Sequence, residues 1–69
     1  MDKTAYYRVT VRGRVTERLA SAFDGMSVEP GQGTTVFVGK VQDQAELYGL
    51  LNRLRDFGLD LVHVEEMTT

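Results

Sequence analysis

Asp43–Gly58, with the sequence DQAELYGLLNRLRDFG, is the stretch that decides the fold. Asp43 is a favourable N-cap residue, and Glu46, three positions later, completes a pattern typical of a capping box. An apolar stripe follows at the i, i+3, i+4, i+7 spacing of an amphipathic helix, and it comprises Leu47, Leu50, Leu51 and Leu54, extended by Phe57. Gly58 suits the position just beyond a helix C-terminus. The stretch therefore predicts one long helix that buries one of its faces.

The residues before this helix predict a strand and a second, shorter helix. In residues 5–15, AYYRVTVRGRV, apolar and polar side chains alternate, as they do in a strand with one buried face. We expect the side chains of Tyr7, Val9 and Val11 on the buried face. Residues 16–25, TERLASAFDG, predict a short helix capped by Thr16.

The remaining segments predict three more strands. Residues 26–29 and residues 34–41 predict a hairpin with a turn at Pro30–Gly31. Residues 59–67, LDLVHVEEM, predict a final strand. The order β-α-β-β-α-β predicts an α+β ferredoxin-like fold, with two helices packed on one face of a four-stranded antiparallel sheet. We expect residues 1–69 to form a single domain of this kind.

The second face of this sheet would be bare, and its composition bears on function. If Val36, Val38, Val62 and Val64 face the helices, the bare face holds Tyr6, Arg8, Phe37, Leu61 and His63. Aromatic, aliphatic and arginine side chains together are typical of an interface, and a core this small gains from self-association. We therefore expect a homodimer formed through this face, with another protein partner or a monomer with a few exposed apolar residues as alternatives. A one-residue slip of the last strand would exchange its faces, because both Leu61 and Val62 suit a core.

The amino-acid composition disfavours several kinds of catalytic site and metal site. The chain has no cysteine and a single histidine, so it offers neither a thiolate nucleophile nor a set of zinc ligands. We expect no catalysis, no cofactor and no metal. His63 is either a sheet residue without a special role or a pH-sensitive contact at an interface. No apolar run follows the start of the sequence, so we expect a cytoplasmic protein that does not contact a membrane.

The charges are unevenly distributed. Residues 1–18 hold five basic and two acidic side chains (+3), and the remainder holds three basic and eight acidic ones (−5), for a net charge of −2. A nucleic-acid-binding domain is expected to be basic, which makes this class the weaker alternative. Tyr6 or Tyr7 and Phe37 occupy strands on which RNA-recognition motifs carry base-stacking aromatics. However, TTVFVGKV lacks the basic-glycine-aromatic start of that signature.

Residues 37–64, FVGKVQDQAELYGLLNRLRDFGLDLVHV, resemble the strand–helix–strand of ACT domains. The matching positions are Asp43, Leu47, Leu50, Leu51, Leu54, Gly58, Leu59, Leu61 and Val64. The resemblance implies a βαββαβ regulatory module that binds amino acids or similar effectors, with the ligand at Gly39, Asp43, Glu46 and Leu47. The alternative for Asp43 and Glu46 is a mutual helix cap. The whole chain is also similar to small uncharacterised ferredoxin-like proteins of actinobacteria, which implies the fold and no activity.

Gly49 interrupts the predicted long helix. A glycine in a helix interior costs about 1 kcal/mol relative to alanine. We expect it to let this helix approach the sheet or the other helix closely.

Overall fold

The computed structural model describes residues 5–13, 15–23 and 25–67. Along the chain they form β1 (Ala5–Arg12), α1 (Glu17–Ala20), β2 (Met26–Pro30), β3 (Thr34–Val41), α2 (Gln44–Asp56) and β4 (Asp60–Met67). The strands make one antiparallel sheet in the order β2-β3-β1-β4. The predicted α+β class, with a four-stranded antiparallel sheet and two helices, is confirmed. Neither described helix is long and apolar enough to cross a membrane.

The start of α2 is fixed by a local hydrogen-bonded cap. The Asp43 carboxylate accepts a hydrogen bond from the Glu46 N–H at 2.8 Å, and the Glu46 carboxylate accepts one from the Gln42 N–H at 3.2 Å. The first bond satisfies one of the N–H groups that the first turn of a helix leaves unpaired, and the second satisfies the N–H of the residue just before the N-cap. Gly58, with a φ of 81°, takes the left-handed conformation that follows the helix end. The predicted N-cap at Asp43 and the predicted helix end are confirmed, whereas the return bond of the predicted mutual cap comes from Gln42 and not from Asp43.

The first helix is shorter than the sequence predicts. Thr16 caps it as expected, because its hydroxyl accepts a hydrogen bond from the Leu19 N–H at 3.2 Å. Beyond Ala20 the backbone tightens, and the N–H of Phe23 bonds to the carbonyl of Ala20, three residues back, at 3.1 Å. This tighter turn carries the Phe23 ring into the core, where it is buried.

The core lies on one side of the sheet. Its buried members are Val9, Val11, Phe23, Phe37, Leu54 and Leu59. Leu19 from α1 and Leu50 and Leu51 from α2 pack against it, so both helices cover the same side. The predicted burial of Val9 and Val11 on β1 is confirmed.

Phe37 belongs to this core, and its predicted place on the bare face is wrong. In the antiparallel register Val9 lies opposite Phe37, and directly opposite residues share one face of a sheet. The Phe37 side chain is 0% exposed. A phenyl ring has far more apolar surface to bury than a valine side chain has. The register therefore turns Phe37 inward and leaves Val36 and Val38 on the opposite face, the reverse of the prediction.

A β-bulge on β4 separates two residues that were expected on one face. Thr10 lies opposite His63, whereas Val11 lies opposite Leu61, so Val62 is the extra residue between them. His63 therefore shares the bare face with Thr10, as predicted. Leu61 lies on the same side of the sheet as Val11, so its predicted place on the bare face is wrong, although at 53% exposed it is not covered by the helices. Neither a simple alternation nor a simple slip describes this strand.

Candidate functional site

The face of the sheet opposite the core is covered by neither described helix, and we call it the open sheet face. It consists of the side chains of Tyr6, Arg8, Thr10 and Arg12 on β1, Thr34, Val36, Val38 and Lys40 on β3, Ser27 and Glu29 on β2, and Asp60, His63, Glu65 and Met67 on β4. Its centre is apolar, because the half-buried Val36 and Val38 lie side by side on one strand. Charged side chains surround the two valines, and one of them, Arg8, lies directly opposite Val38.

The charges of the open sheet face balance. Three basic side chains, Arg8, Arg12 and Lys40, stand with three acidic ones, Glu29, Asp60 and Glu65. Arg8 lies opposite Glu65 with a nitrogen–oxygen distance of 3.8 Å, and both side chains are about half exposed. An exposed pair of this kind contributes at most about 1 kcal/mol to folding. The pairing therefore shapes the surface more than it stabilises the chain.

Three of the five predicted interface residues lie on the open sheet face. Tyr6 is 45% exposed there, and Arg8 and His63 are exposed beside it. Phe37 and Leu61 lie on the other side of the sheet. Val36 and Val38 were missed because β3 carries apolar residues on both faces, and its own sequence does not tell which face is buried.

The aromatic platform of an RNA-recognition motif is not formed by the described residues. Tyr6 lies on the open sheet face. Tyr7, the next residue of β1, lies on the opposite face, and Phe37 is buried. Stacking of successive bases needs exposed rings on adjacent strands. The position of the predicted stacking pair is therefore wrong.

A groove of about 750 Å³ lies on the helix-covered side, and we call it the α2 groove. It is lined by Ala22, Phe23, Met26, Lys40, Val41, Glu46, Gly49, Leu50 and Arg53. Lys40 lies where the groove reaches the edge of the sheet, so it borders both the groove and the open sheet face. Its volume falls in the range of small-molecule sites, roughly 300–1,000 Å³. The lining combines an apolar surface with a few charged groups, which is the usual composition of such sites.

Arg53 is fixed at this groove by two contacts. Its Nη2 donates a hydrogen bond to the Ala22 carbonyl oxygen at 2.7 Å, and its guanidinium carbon lies 4.9 Å from the centre of the Phe23 ring. The second contact is a cation–π interaction. A guanidinium has five N–H donors, so Arg53 keeps donors for a further partner.

The four residues of the predicted ligand turn are not brought together in one cavity. Glu46 lines the α2 groove. Gly39 is buried, and a Cβ added to it would lie 2.7 Å from the Met26 side chain, so Met26 covers its backbone. Asp43 accepts the capping bond described above, and Leu47 is half-buried on α2.

Gly49 does not have the role that the sequence suggested. No described atom of another element lies within 4 Å of the position that its Cβ would take. The expected close approach to the sheet or to the other helix is therefore absent from the described residues. Gly49 instead forms part of the surface of the α2 groove.

Tyr7 and Glu66 form a polar pair on the helix-covered side of β1 and β4. The Tyr7 hydroxyl donates a long hydrogen bond of 3.4 Å to the Glu66 carboxylate. Desolvation, followed by the negative charge of Glu66, raises the pKa of Tyr7 above its usual 10.0. Among the described residues, no group of three or more histidine, aspartate or glutamate side chains could hold a metal ion.

The chain matches a known family of protein domains. Residues 6–65 match the model of the family described as Domain of unknown function (DUF8691). The chain belongs to this family. The matched span starts in β1 and ends in β4, so it contains every residue of the α2 groove and most of the open sheet face. The searches of curated proteins and of solved structures gave no match.

Proposed function

We propose that this chain is a cytoplasmic, non-catalytic interaction module that forms a homodimer through its open sheet face. The one-sided packing of the sheet carries this proposal. Both helices pack on the core side, and no described element covers Val36 and Val38 on the other. Two such faces packed together would bury these valines as the inner faces of a β-sandwich are buried.

The size of the face sets the expected strength of the dimer. Four strands about 4.8 Å apart and up to about eight residues long, at about 3.3 Å per residue, give a flat area of roughly 500 Å² per partner. An interface of roughly 1,000 Å² in total is at the small end for specific complexes. We therefore expect a dimer that dissociates on dilution.

The charge balance of the face supports a partner of the same kind. A two-fold dimer places the same patch of both chains in contact. A patch with three positive and three negative side chains adds no net repulsion to that contact, although the whole chain has a net charge of −2. Exposed arginines and carboxylates such as Arg8 and Glu65 could exchange partners across the interface.

Two aspartate variants test the proposal. Val38→Asp places a carboxylate at the centre of the open sheet face, opposite Arg8, where the monomer can hold it in water. We expect a folded monomer, because the dimer would bury that charge. Val62→Asp is the matched control, since Val62 is 48% exposed at the bulge on the edge strand. A Val38→Asp protein that remains dimeric would remove this face as the interface.

We also propose the ferredoxin-like topology for this domain. The element order and the position of β1 between β3 and β4 support it. The single turn of α1 is a departure from that fold, whose two crossovers normally carry full helices. Nuclear Overhauser contacts from Val9 to both Phe37 and Val64 are expected, and a lack of either would contradict the strand order.

Effector binding is a second candidate function, favoured by the α2 groove. The groove has the volume of a ligand site and includes Glu46, which the ACT-like interpretation placed at a ligand. A panel of amino acids tested by thermal shift examines this function. A ligand at about 100 times its dissociation constant adds roughly 2.7 kcal/mol to the free energy of unfolding. An unchanged melting temperature across the panel would count against an amino-acid effector.

A further inference from the structure

We infer that the α2 groove binds a small apolar molecule with one anionic group, whose charge lies at Arg53 and whose apolar part lies over Gly49. The inference rests on the second candidate function and specifies its ligand. Three observations carry it: a glycine without an internal role, an apolar floor, and a fixed guanidinium at one end.

Gly49 leaves space that no described part of the chain uses. A glycine in a helix interior costs about 1 kcal/mol relative to alanine, which close packing within the fold often explains. Here no described atom of another element lies within 4 Å of its missing Cβ. Because Gly49 lines the groove, the glycine lets a molecule in the groove contact the helix backbone directly.

The apolar side chains that line the groove favour a ligand with an apolar part. Met26, Val41 and Leu50 line it together with the buried ring of Phe23. Burial of an apolar ligand on such a surface contributes about 25 cal/mol for each Å² removed from water. A polar metabolite would gain little from these side chains.

Arg53 selects an anion and sets its position. Its hydrogen bond to the Ala22 carbonyl and its contact with the Phe23 ring hold the guanidinium before a ligand arrives. A carboxylate can pair with the remaining N–H donors in the two-point geometry that guanidinium groups favour. Little side-chain freedom is then lost on binding, so the charge pair is formed at low entropic cost.

The position of Glu46 favours a simple anion over an amino acid. Glu46 and Arg53 lie seven positions apart on α2, which is about 10 Å along a helix axis. The two charged groups of an α-amino acid are attached to the same carbon, so an amino acid whose carboxylate pairs with Arg53 would hold its ammonium group close to the positively charged guanidinium. An anion at Arg53 with an apolar tail over Gly49 places no charge next to the Glu46 carboxylate.

Three probes of matched size test the inference by titration followed through backbone amide NMR shifts. Octanoate carries the tail and the anion, octanol carries the tail alone, and leucine is an amino acid. We expect octanoate to shift the amides of Val41, Gly49 and Leu50 with saturation, and to bind at least about tenfold more tightly than octanol, which corresponds to 1.4 kcal/mol. Leucine binding without octanoate binding would overturn the inference and leave effector binding in place. If none of the three bound, the inference would be overturned, and effector binding would be judged by the amino-acid panel.

Paired variants locate the site on the groove. Gly49→Leu fills the groove and is expected to weaken octanoate binding at least about tenfold, whereas Asn52→Leu, on the exposed side of α2, leaves it unchanged. Arg53→Gln is expected to remove the preference for octanoate over octanol, and Arg55→Gln, which does not line the groove, to retain it. Equal effects within either pair, in proteins shown to be folded by NMR, would contradict the assignment.

Discussion

The ring of Phe23 meets the ring of Phe37 edge-on, with centroids 5.2 Å apart and planes at 65°. Phe23 comes from the turn after α1 and Phe37 from β3, so this contact joins the first crossover to the centre of the sheet. Phe57 adds a second edge-on contact to Phe23 at 5.8 Å. The aromatic cluster lies on the helix side of the sheet, and the valines next to Phe37 on β3 are left on the open sheet face.

Truncation of Phe37 should remove most of the stability of this small domain. Phe37→Ala is expected to lower the free energy of unfolding by about 3–5 kcal/mol, because it deletes a buried ring and leaves a cavity. A core of this size supplies a total of similar magnitude, so we expect a largely unfolded protein by circular dichroism. Tyr48→Ala, which truncates a ring that is 58% exposed, should stay folded. A stable Phe37→Ala protein would contradict the placement of this ring.

Alanine at position 49 should stabilise the protein. Gly49→Ala is expected to raise the free energy of unfolding by about 1 kcal/mol, because it improves helix propensity and its Cβ contacts no described atom of another element. Urea denaturation measures the change. Gly58→Ala is the control and is expected to lower the free energy of unfolding, because Gly58 has a φ of 81° that disfavours a side chain. A loss of stability in Gly49→Ala would mean that something inside the fold occupies this space.

Removal of the helix cap should lower the free energy of unfolding by a predictable amount. Asp43→Ala is expected to lower the free energy of unfolding by about 1 kcal/mol, because the Glu46 N–H loses its acceptor. Asp43→Asn should be close to the wild type, since asparagine caps nearly as well. If the two variants were equally destabilised in thermal melts, the negative charge and not the cap would be what matters at this position.

Alkaline pH should weaken the fold partly through Tyr7. Its pKa is raised in the folded state, so the neutral form is favoured there and the contribution is complete below pH 10.0, the unfolded value. Above that pH the unfolded state loses its proton first, and stability falls as pH rises. Tyr7→Phe should show a shallower decline of the free energy of unfolding as pH rises above 10.0. Parallel declines in both proteins would remove Tyr7 as a contributor.

Local features of the sequence predicted the local features of the fold. The cap at Asp43, the helix with Leu54 buried and the end at Gly58 depend on residues close together in the chain, and each lies where it was expected. Phe57, which was predicted to extend the apolar stripe, is 49% exposed. The alternation of β1 was equally clear, because one face of it is polar. These elements could be predicted without knowing how the rest of the molecule packs.

The buried face of β3 and the bulge on β4 depend on the pairing of strands that are distant in sequence, and the sequence alone did not predict them. β3 carries Val36 and Val38 on one face and Phe37 and Val41 on the other, so both faces look apolar and only the register with β1 identifies the buried one. The bulge at Val62 likewise exists only in the pairing of β1 with β4. Both features bear on the candidate site, and for that reason two of its predicted residues were misplaced.

The solution mass of the wild-type chain tests the central proposal most directly. Sedimentation equilibrium over a series of concentrations measures it without a label or a ligand. The proposal predicts a mass that rises toward twice the 7.7 kDa of one chain as the concentration increases. A mass of 7.7 kDa at every concentration up to the millimolar range would contradict a homodimer formed through the open sheet face.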